Sequence, residues 1–271
     1  MSEMIRVAVC GASGRMGRAV VRAVSETDDM SVVAAIDLHD QGMDAGILAG
    51  LQSIGVPVED DLEMALKHSR PDAVVDFSVT EAILLNARAS LSSGAAAVIG
   101  ATGLREEDLA ELSRLSKELG VPVFIAPNFA IGAVLLMQFA AQAARYMPDA
   151  EIIEMHHPGK RDAPSGTALR TAEIIAAARE SAGVHPVTAP PGAFEILAGA
   201  RGGRGDHEIP CHSVRLPGLV AHQEVIFGAE GQTLTLRHDS IDRTSFMPGV
   251  LLALRKVKGL SGLTIGLENL L

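Results

Sequence analysis

Between Glu154 and Thr167 the chain reads Glu-Met-His-His-Pro-Gly-Lys-Arg-Asp-Ala-Pro-Ser-Gly-Thr, bringing two imidazoles, two permanent cations, carboxylates and a Ser-Gly-Thr helix opening into one short segment. Imidazoles titrate nearest neutrality of all side chains, so His156 and His157 suit proton transfer at working pH. Lys160 and Arg161 add fixed positive charge beside them. An apolar run over 150–155 enters the segment like a strand, and an alanine-rich pattern over 167–178 leaves it like a helix. The first amides of such a helix are unpaired donors at the positive end of its dipole, where an anion binds. The chemistry expected is acid catalysis on a small carboxylate-bearing molecule. The plain alternative is a solvated basic loop with Ser165 as an ordinary N-cap. Adjacent histidines point in different directions and no Cys or third His follows at ligand spacing, so no metal site is expected.

A second chemistry-bearing stretch lies near the start. A mostly apolar, β-branched run over 4–10 leads into Gly11-Ala12-Ser13-Gly14-Arg15-Met16-Gly17, and residues 18–24 then read as helix. Strand, glycine turn and helix make a dinucleotide-binding arrangement, in which the backbone approaches a pyrophosphate at the helix N-terminus. Ala12 stands where the strict G-x-G-x-x-G pattern has glycine, so the motif alone is weak and a plain tight turn is its alternative. Context strengthens it, because the next apolar strand, 31–36, ends in Asp37, where an acid hydrogen-bonds the adenosine ribose. Asp37 repels a 2′-phosphate and Leu38 follows it in place of a cation. NADH is therefore favoured, with Arg15 keeping NADPH as the second option.

The elements that must position these residues alternate. Strand patterns at 72–77, 95–99 and 121–125 are separated by helices at 80–91 and 105–119, with a short helix near Asp44 and another capped by Asp60 or Asp61. Their carboxyl ends carry Phe77, Gly100-Ala101-Thr102-Gly103 and Ala126-Pro127-Asn128-Phe129, which would line the cofactor cleft. Up to about residue 129 this is a doubly wound α/β sheet. The rhythm then changes to a long apolar helix over 131–146, a strand over 150–155, a helix to Ala182, and strands at 194–197, 213–216, 221–227 and 233–238. Residues 199–206 read as a flexible basic connection. This second domain is α+β with a mostly antiparallel or mixed sheet, one face of which is open to another subunit. A helix at 244–256 and a strand at 263–267 close the chain.

Composition narrows the rest. A chain of 271 residues, 48% hydrophobic, is long enough for one large or two modest cores. Thirty-three acidic against 23 basic residues, net −10, argue against a nucleic-acid surface. Cys10 and Cys211 show no disulfide, redox or zinc spacing, which fits a reducing cytoplasm. Residues 1–4 run straight into a strand without a basic or apolar leader, and the most apolar helix, 132–144, is too short to span a bilayer. Neither a signal peptide nor a membrane association is expected.

Taken together, 9–17 (Val-Cys-Gly-Ala-Ser-Gly-Arg-Met-Gly) and 154–168 (Glu-Met-His-His through Lys160, then Asp-Ala-Pro-Ser-Gly-Thr-Ala) closely resemble the dihydrodipicolinate reductase family of lysine and diaminopimelate biosynthesis. The resemblance runs the whole length, through the turns at 100–102 and 126–129 to Ser240-Ile241-Asp242-Arg243. It implies a Rossmann-type cofactor domain, 1–129 with 240–271, interrupted by a substrate-binding and oligomerisation domain, 130–239, in a homotetramer. It implies hydride transfer from NAD(P)H to C4 of a cyclic unsaturated imine formed by loss of water from 4-hydroxy-tetrahydrodipicolinate. His156 then corresponds to the proton donor/acceptor, Lys160 to a second donor, and His157, Ser165, Gly166 and Thr167 to substrate contacts. The cofactor positions correspond to Gly11, Ala12, Ser13, Gly14, Arg15, Met16, Asp37, Gly100, Ala101, Thr102, Ala126, Pro127, Asn128 and Phe129. Many members have Glu-Arg where this chain has Asp37-Leu38, and Ala101 replaces a frequent threonine. The rival readings are another dehydrogenase of a small carboxylate on the same cofactor fold and a non-catalytic dinucleotide sensor.

Overall fold

The computed structural model describes residues 4–187 and 191–271. They divide into two compact units, one running to Ile131 and resuming over Phe246–Leu271, the other comprising Gly132–Ser245.

The first unit grows from strands that are apolar at nearly every position. In chain order it contains β1 (Ile5–Cys10), α1 (Arg15–Ser25), β2 (Met30–Ile36), α2 (Ala45–Leu48), β3 (Val58–Glu59), α3 (Leu62–Ser69), β4 (Ala73–Asp76), α4 (Thr80–Ser92), β5 (Ala96–Ile99), α5 (Glu106–Leu119) and β6 (Val123–Ile125). Every residue of β4, β5 and β6 is buried, as strands covered on both faces must be. The sheet is completed from the far end of the chain by α8 (Met247–Val257) and β11 (Leu263–Ile265), giving the order β11-β6-β5-β4-β1-β2-β3 with parallel neighbours throughout. One face is covered by α3, α4 and α5, whose Leu62, Leu66, Ile83, Leu91 and Leu112 pack on Ala8, Val74, Ala97 and Ile99. The other is covered by α1 and α8, which touch each other. This is a Rossmann-type doubly wound sheet.

Several boundaries differ from the sequence reading for local reasons. Helix α1 opens at Arg15, inside the glycine motif, because Gly14 N–H bonds to Gly11 O at 3.0 Å and Arg18 N–H to Gly14 O at 2.9 Å. The helix expected at 244–256 begins at Met247, with Pro248 in its first turn and a 3₁₀ turn, Arg243–Phe246, ahead of it. The last strand stops at Ile265 because Gly266 turns at φ +96°, a conformation that disfavours side chains. The two-residue β3, for which no strand is expected from the sequence, pairs with β2 and extends the sheet.

The second unit contains α6 (Ile131–Ala144, its first residue in the other unit), β7 (Asp149–His156), α7 (Gly166–Ala182), β8 (Cys211–Arg215), β9 (Ala221–Ala229) and β10 (Gln232–Ser240). Its sheet has the order β10-β9-β7-β8, with β8 parallel to β7 and the other pairs antiparallel, so it is mixed. Ala150, Ile152 and Glu154 of β7 are buried while the residues between them are half-buried, the period of a strand covered on one side. The covered face packs Ile152, Val225 and Phe227 on Leu136, Ala140 and Ile175 of α6 and α7. The other face carries polar contacts, including the Arg237–Glu224 ion pair at 3.0 Å and His212 Nε2 at 2.9 Å from the Glu151 carboxylate.

The strand expected at 194–197 does not form. Phe194, Ile196 and Leu197 are largely exposed in a turn, where the Glu195 carboxylate accepts from Gly199 and Arg201 N–H at 2.7 and 3.1 Å. The place beside β7 is taken by β8 instead. Propensity without a neighbouring strand to pair with does not make a strand.

The turn that starts α1 depends on missing side chains. A Cβ on Gly17 would lie 2.0 Å from Gly11 O and 2.8 Å from Ala12 Cα, both backbone atoms. Gly17→Ala is therefore expected to lower stability by about 1–3 kcal/mol, the usual cost of overpacking. Urea denaturation measures it, and an unchanged midpoint would contradict this packing.

Candidate active site

The first unit collects its sequence-singled residues at one sheet edge. Cys10 ends β1, and the chain turns at Gly11 with φ +77°, where a Cβ would lie 2.8 Å from Phe77 O. The first turn of α1 has Gly14 as N-cap and no side-chain cap bond, so its leading amides sit at the positive helix end without a side-chain acceptor. That cradle fits a pyrophosphate. At the end of β2 the Asp37 carboxylate accepts from Ser13 and His39 N–H, each at 3.0 Å, which ties it to the glycine turn. Arg18 is committed to Ser13 O and Asp40 at 2.8 and 3.0 Å, Leu38 is 77% exposed, and Arg15 is exposed.

After β4 the Phe77 ring lies over Gly100, where a Cβ would come within 2.1 Å of it. Ala101 and the exposed Thr102 follow, the Thr102 carbonyl accepting from Thr80 Oγ1 at 2.9 Å. After β6, Ala126 N–H bonds to Ile99 O, Pro127 is exposed, and Asn128 Oδ1 accepts from Ala130 N–H at 2.8 Å. The Phe129 ring is buried against Phe77 and Phe124, with centroids 5.7 and 6.1 Å away, so what this residue presents at the turn is its backbone. Ala12 is buried likewise.

In the second unit, β7 continues to His156, so this histidine is the last residue of a strand and is held by the sheet. Strand period places Glu154 and His156 on one face. Glu154 has no exposed surface, and its Oε2 lies 2.5 Å from His156 Nδ1. Arg215, at the end of β8, grips the same carboxylate, Nη1 to Oε2 at 3.0 Å and Nη2 to Oε1 at 2.7 Å. Its Nη atoms also donate to the carbonyls of Val214 and Asp162, each at 2.8 Å. Burial pushes the Glu154 carboxyl up, but the bonds from Arg215, Ser213 and His156 outweigh it and hold the group below the usual glutamate range. Burial pushes the His156 imidazole down; Glu154 opposes this, while Lys160 and Arg215 reinforce it, and the net direction is downward.

The rest of the loop is arranged around cation pairs and a helix start. Lys160 Nζ donates to both Asp162 carboxylate oxygens at 2.9 Å, and its N–H closes a turn on His157 O at 3.1 Å. His157 and Arg161 are exposed. Ser165 is 3% exposed and caps α7, its Oγ accepting from Ala168 N–H at 3.2 Å. The hydroxyl is thus engaged in the fold. Gly166 has open space where its side chain would be, and the Thr167 carbonyl accepts from Thr171 Oγ1 at 2.7 Å.

Sequence reasoning missed Arg215, which lies 61 positions from Glu154 and becomes its partner only through the β7–β8 pairing. It also missed the Asp162 clamp on Lys160. The i, i+2 spacing of Glu154 and His156 at the end of a strand was an available signal. Cys10 and Cys211 are both buried with thiols pushed up, by burial first and by nearby carboxylates second, so neither is an activated nucleophile.

A parallel sheet with a glycine cradle at its carboxyl edge, and a separate unit with an imidazole, a carboxylate and two cations, define an oxidoreductase of the Rossmann class. Comparison with known proteins narrows the class. The chain belongs to the dihydrodipicolinate reductase family: residues 5–129 match the model of the family's N-terminal region and 132–271 that of its C-terminal region. The chain is 51% identical, over 100% of its length and 99% of the relative's, to 4-hydroxy-tetrahydrodipicolinate reductase of Moorella thermoacetica. The solved structure of dipicolinate-bound dihydrodipicolinate reductase from Paenisporosarcina sp. TG-14 is similar to it with a TM-score of 0.87 at 43% identity, covering 99% of this chain and 100% of that one. An amine dehydrogenase from Mycobacterium smegmatis, TM-score 0.65 at 17% identity over 97% and 95% of the two chains, shares the fold. No helix among the described residues is long and apolar enough to cross a membrane.

Because His156 holds its proton less tightly in the fold than in the unfolded chain, stability is lost as pH falls from its ordinary value, 6.5, toward its lower folded one. Glu154, depressed from 4.5, adds a further loss as pH falls below that value and through its own folded pKa. His238 shares the direction of His156, again from burial. In urea midpoints followed against pH, His156→Asn should flatten the upper part of the decline relative to wild type, and parallel curves would remove His156 from it.

Proposed function

We propose that this chain reduces 4-hydroxy-tetrahydrodipicolinate, by way of dihydrodipicolinate, to tetrahydrodipicolinate, with a reduced pyridine nucleotide as hydride source. The observation that carries the reading is the His156–Glu154–Arg215 cluster beside Lys160 in a chain whose full-length relatives bear that name. A relative with dipicolinate bound supports the substrate class, a planar ring bearing two carboxylates.

Gly11, Ser13, Gly14, Arg15 and Met16 would cradle the pyrophosphate, Asp37 the adenosine ribose, and the turns at Phe77, 100–102 and 126–129 the nicotinamide end. A bound nucleotide would supply hydride to C4 of the unsaturated imine. That would leave electron density on the substrate as an enamine, which a proton must quench. The Lys160 ammonium and the His156 imidazole are the proton-handling groups. The amides opening α7 at Gly166 and Thr167, with His157, would hold a ring carboxylate at the positive helix end. Ser165 contributes by capping that helix. For the nucleotide, Asp37 faces a 2′-phosphate with like charge, Leu38 offers no compensating cation and Arg18 is already paired, so NADH is the preferred donor and NADPH, through Arg15, the second. The uncovered sheet face of the second unit would pair with other copies in a homotetramer, the protein working in the cytoplasm.

In an assay following nucleotide oxidation with freshly generated substrate, turnover is expected with both nucleotides, with the higher kcat/KM for NADH. His156→Ala and Lys160→Ala should each lower kcat by roughly 10²-fold or more while leaving NADH affinity unchanged. No oxidation with substrate present would refute the reaction, and a strong NADPH preference would refute the Asp37 argument. Light scattering should return four times the subunit mass; a monomer would refute the assembly.

A further inference from the structure

The buried carboxylate and the guanidinium behind His156 have no contact role in that reaction. We propose that Glu154 and Arg215 are a positioning pair for His156, which hold its Nδ1–H against the carboxylate and leave Nε2 as the atom that exchanges a proton with substrate. The inference rests on the reading that His156 is a proton-handling group of the proposed reaction.

The argument is one of donors and acceptors. A guanidinium only donates, and Arg215 meets both oxygens of Glu154 as a fork, so the carboxylate is ionised and can only accept. An acceptor 2.5 Å from His156 Nδ1 requires the proton to sit on that nitrogen. In the neutral ring Nε2 then carries a lone pair. Glu154 has no exposed surface and is gripped from two sides, so it has no second orientation in which to release the ring. The same guanidinium donates to the backbone of Asp162, whose carboxylate clamps Lys160. One side chain of β8 thus fixes both groups that handle protons.

The charge arrangement separates orientation from ionisation. A lone buried carboxylate beside an imidazole would draw a second proton onto the ring; Arg215 offsets that pull. The groups around the ring are Glu154 on its own strand, Arg215 on β8 and Lys160 on the loop, with the Ser213 hydroxyl of β8 bonded to Glu154 and the Asp162 carboxylate bonded to Lys160. On β9, Ala221 and Gln223 stand opposite His156 and Glu154, and His238 of β10 stands opposite Gln223. Thr171 of α7 bonds to Gln223 at 2.7 Å. Only Glu154 favours the charged ring among the groups that act on it directly.

The test is nitrogen-15 NMR of the His156 ring in the full-length protein, together with the pH dependence of kcat. Wild type should show the Nδ1-protonated neutral form. Glu154→Gln should lose that preference, move the His156 midpoint to lower pH and cut kcat roughly 10–10²-fold with a smaller change in KM. Arg215→Met should move the midpoint the opposite way, to higher pH. Since that variant leaves a buried carboxylate unpaired and can fail to fold, Glu154→Gln with Arg215→Met removes both charges together and should titrate between the two. Midpoints that stay fixed, or move in the same direction, overturn the pair as a positioning device. A lost tautomer preference with wild-type kcat leaves the device standing and overturns the catalytic role of His156 on which its use depends.

Discussion

A carboxylate with no exposed surface is the constraint around which the second unit is arranged. Taking such a group out of water costs several kcal/mol unless opposite charge and hydrogen bonds replace the lost solvent. Glu154 meets that demand with partners from two elements, Arg215 from β8 and His156 from its own strand. Loss of Arg215 would leave that buried charge with no cation bonded to it. The mixed order of the sheet follows the same logic, because only a strand lying parallel beside β7 brings its carboxyl end, and hence Arg215, level with His156.

The two candidate sites are built by different means. In the first, the absence of side chains matters most: Gly11, Gly17 and Gly100 let backbone and a ring approach within distances that a methyl group would block. Such a surface is specific for shape and for the amides it exposes. In the second, charged side chains act, and each is tied to a partner, Lys160 to Asp162 and His156 to Glu154. Restraint of this kind reduces the ordering that a bound molecule must impose.

Much of the first unit could be read directly from residue order, because β5 is an unbroken apolar run, β4 is apolar up to its last residue, Asp76, and the glycine turn follows a strand at once. The loop after β7 was equally visible, since its imidazoles and cations lie within one short segment. What could not be read was pairing across distance. Arg215 sits in an ordinary alternating strand, and nothing near it announces a carboxylate 61 positions away. The false strand at 194–197 has the same origin: Phe194, Ile196 and Leu197 have strand-like side chains, yet β8 occupies the neighbouring position. Phe129 stands in the turn after β6, and the packing of its ring on Phe77 and Phe124 is likewise a long-range contact that residue order does not announce.

The interrupted course of the first sheet also governs how the molecule is made. Residues 123–125 acquire their outer neighbour only from residues 263–265, after the ribosome has produced the entire intervening unit. Until then β6 presents an unpaired margin, the kind of surface on which nascent chains adhere to one another. Closing so long an excursion is slow when the middle is uncollapsed and easier once it is compact. The second unit is therefore suited to fold ahead of the sheet that encloses it in sequence, and damage to its interior would delay completion of the nucleotide cradle without touching a single residue of it.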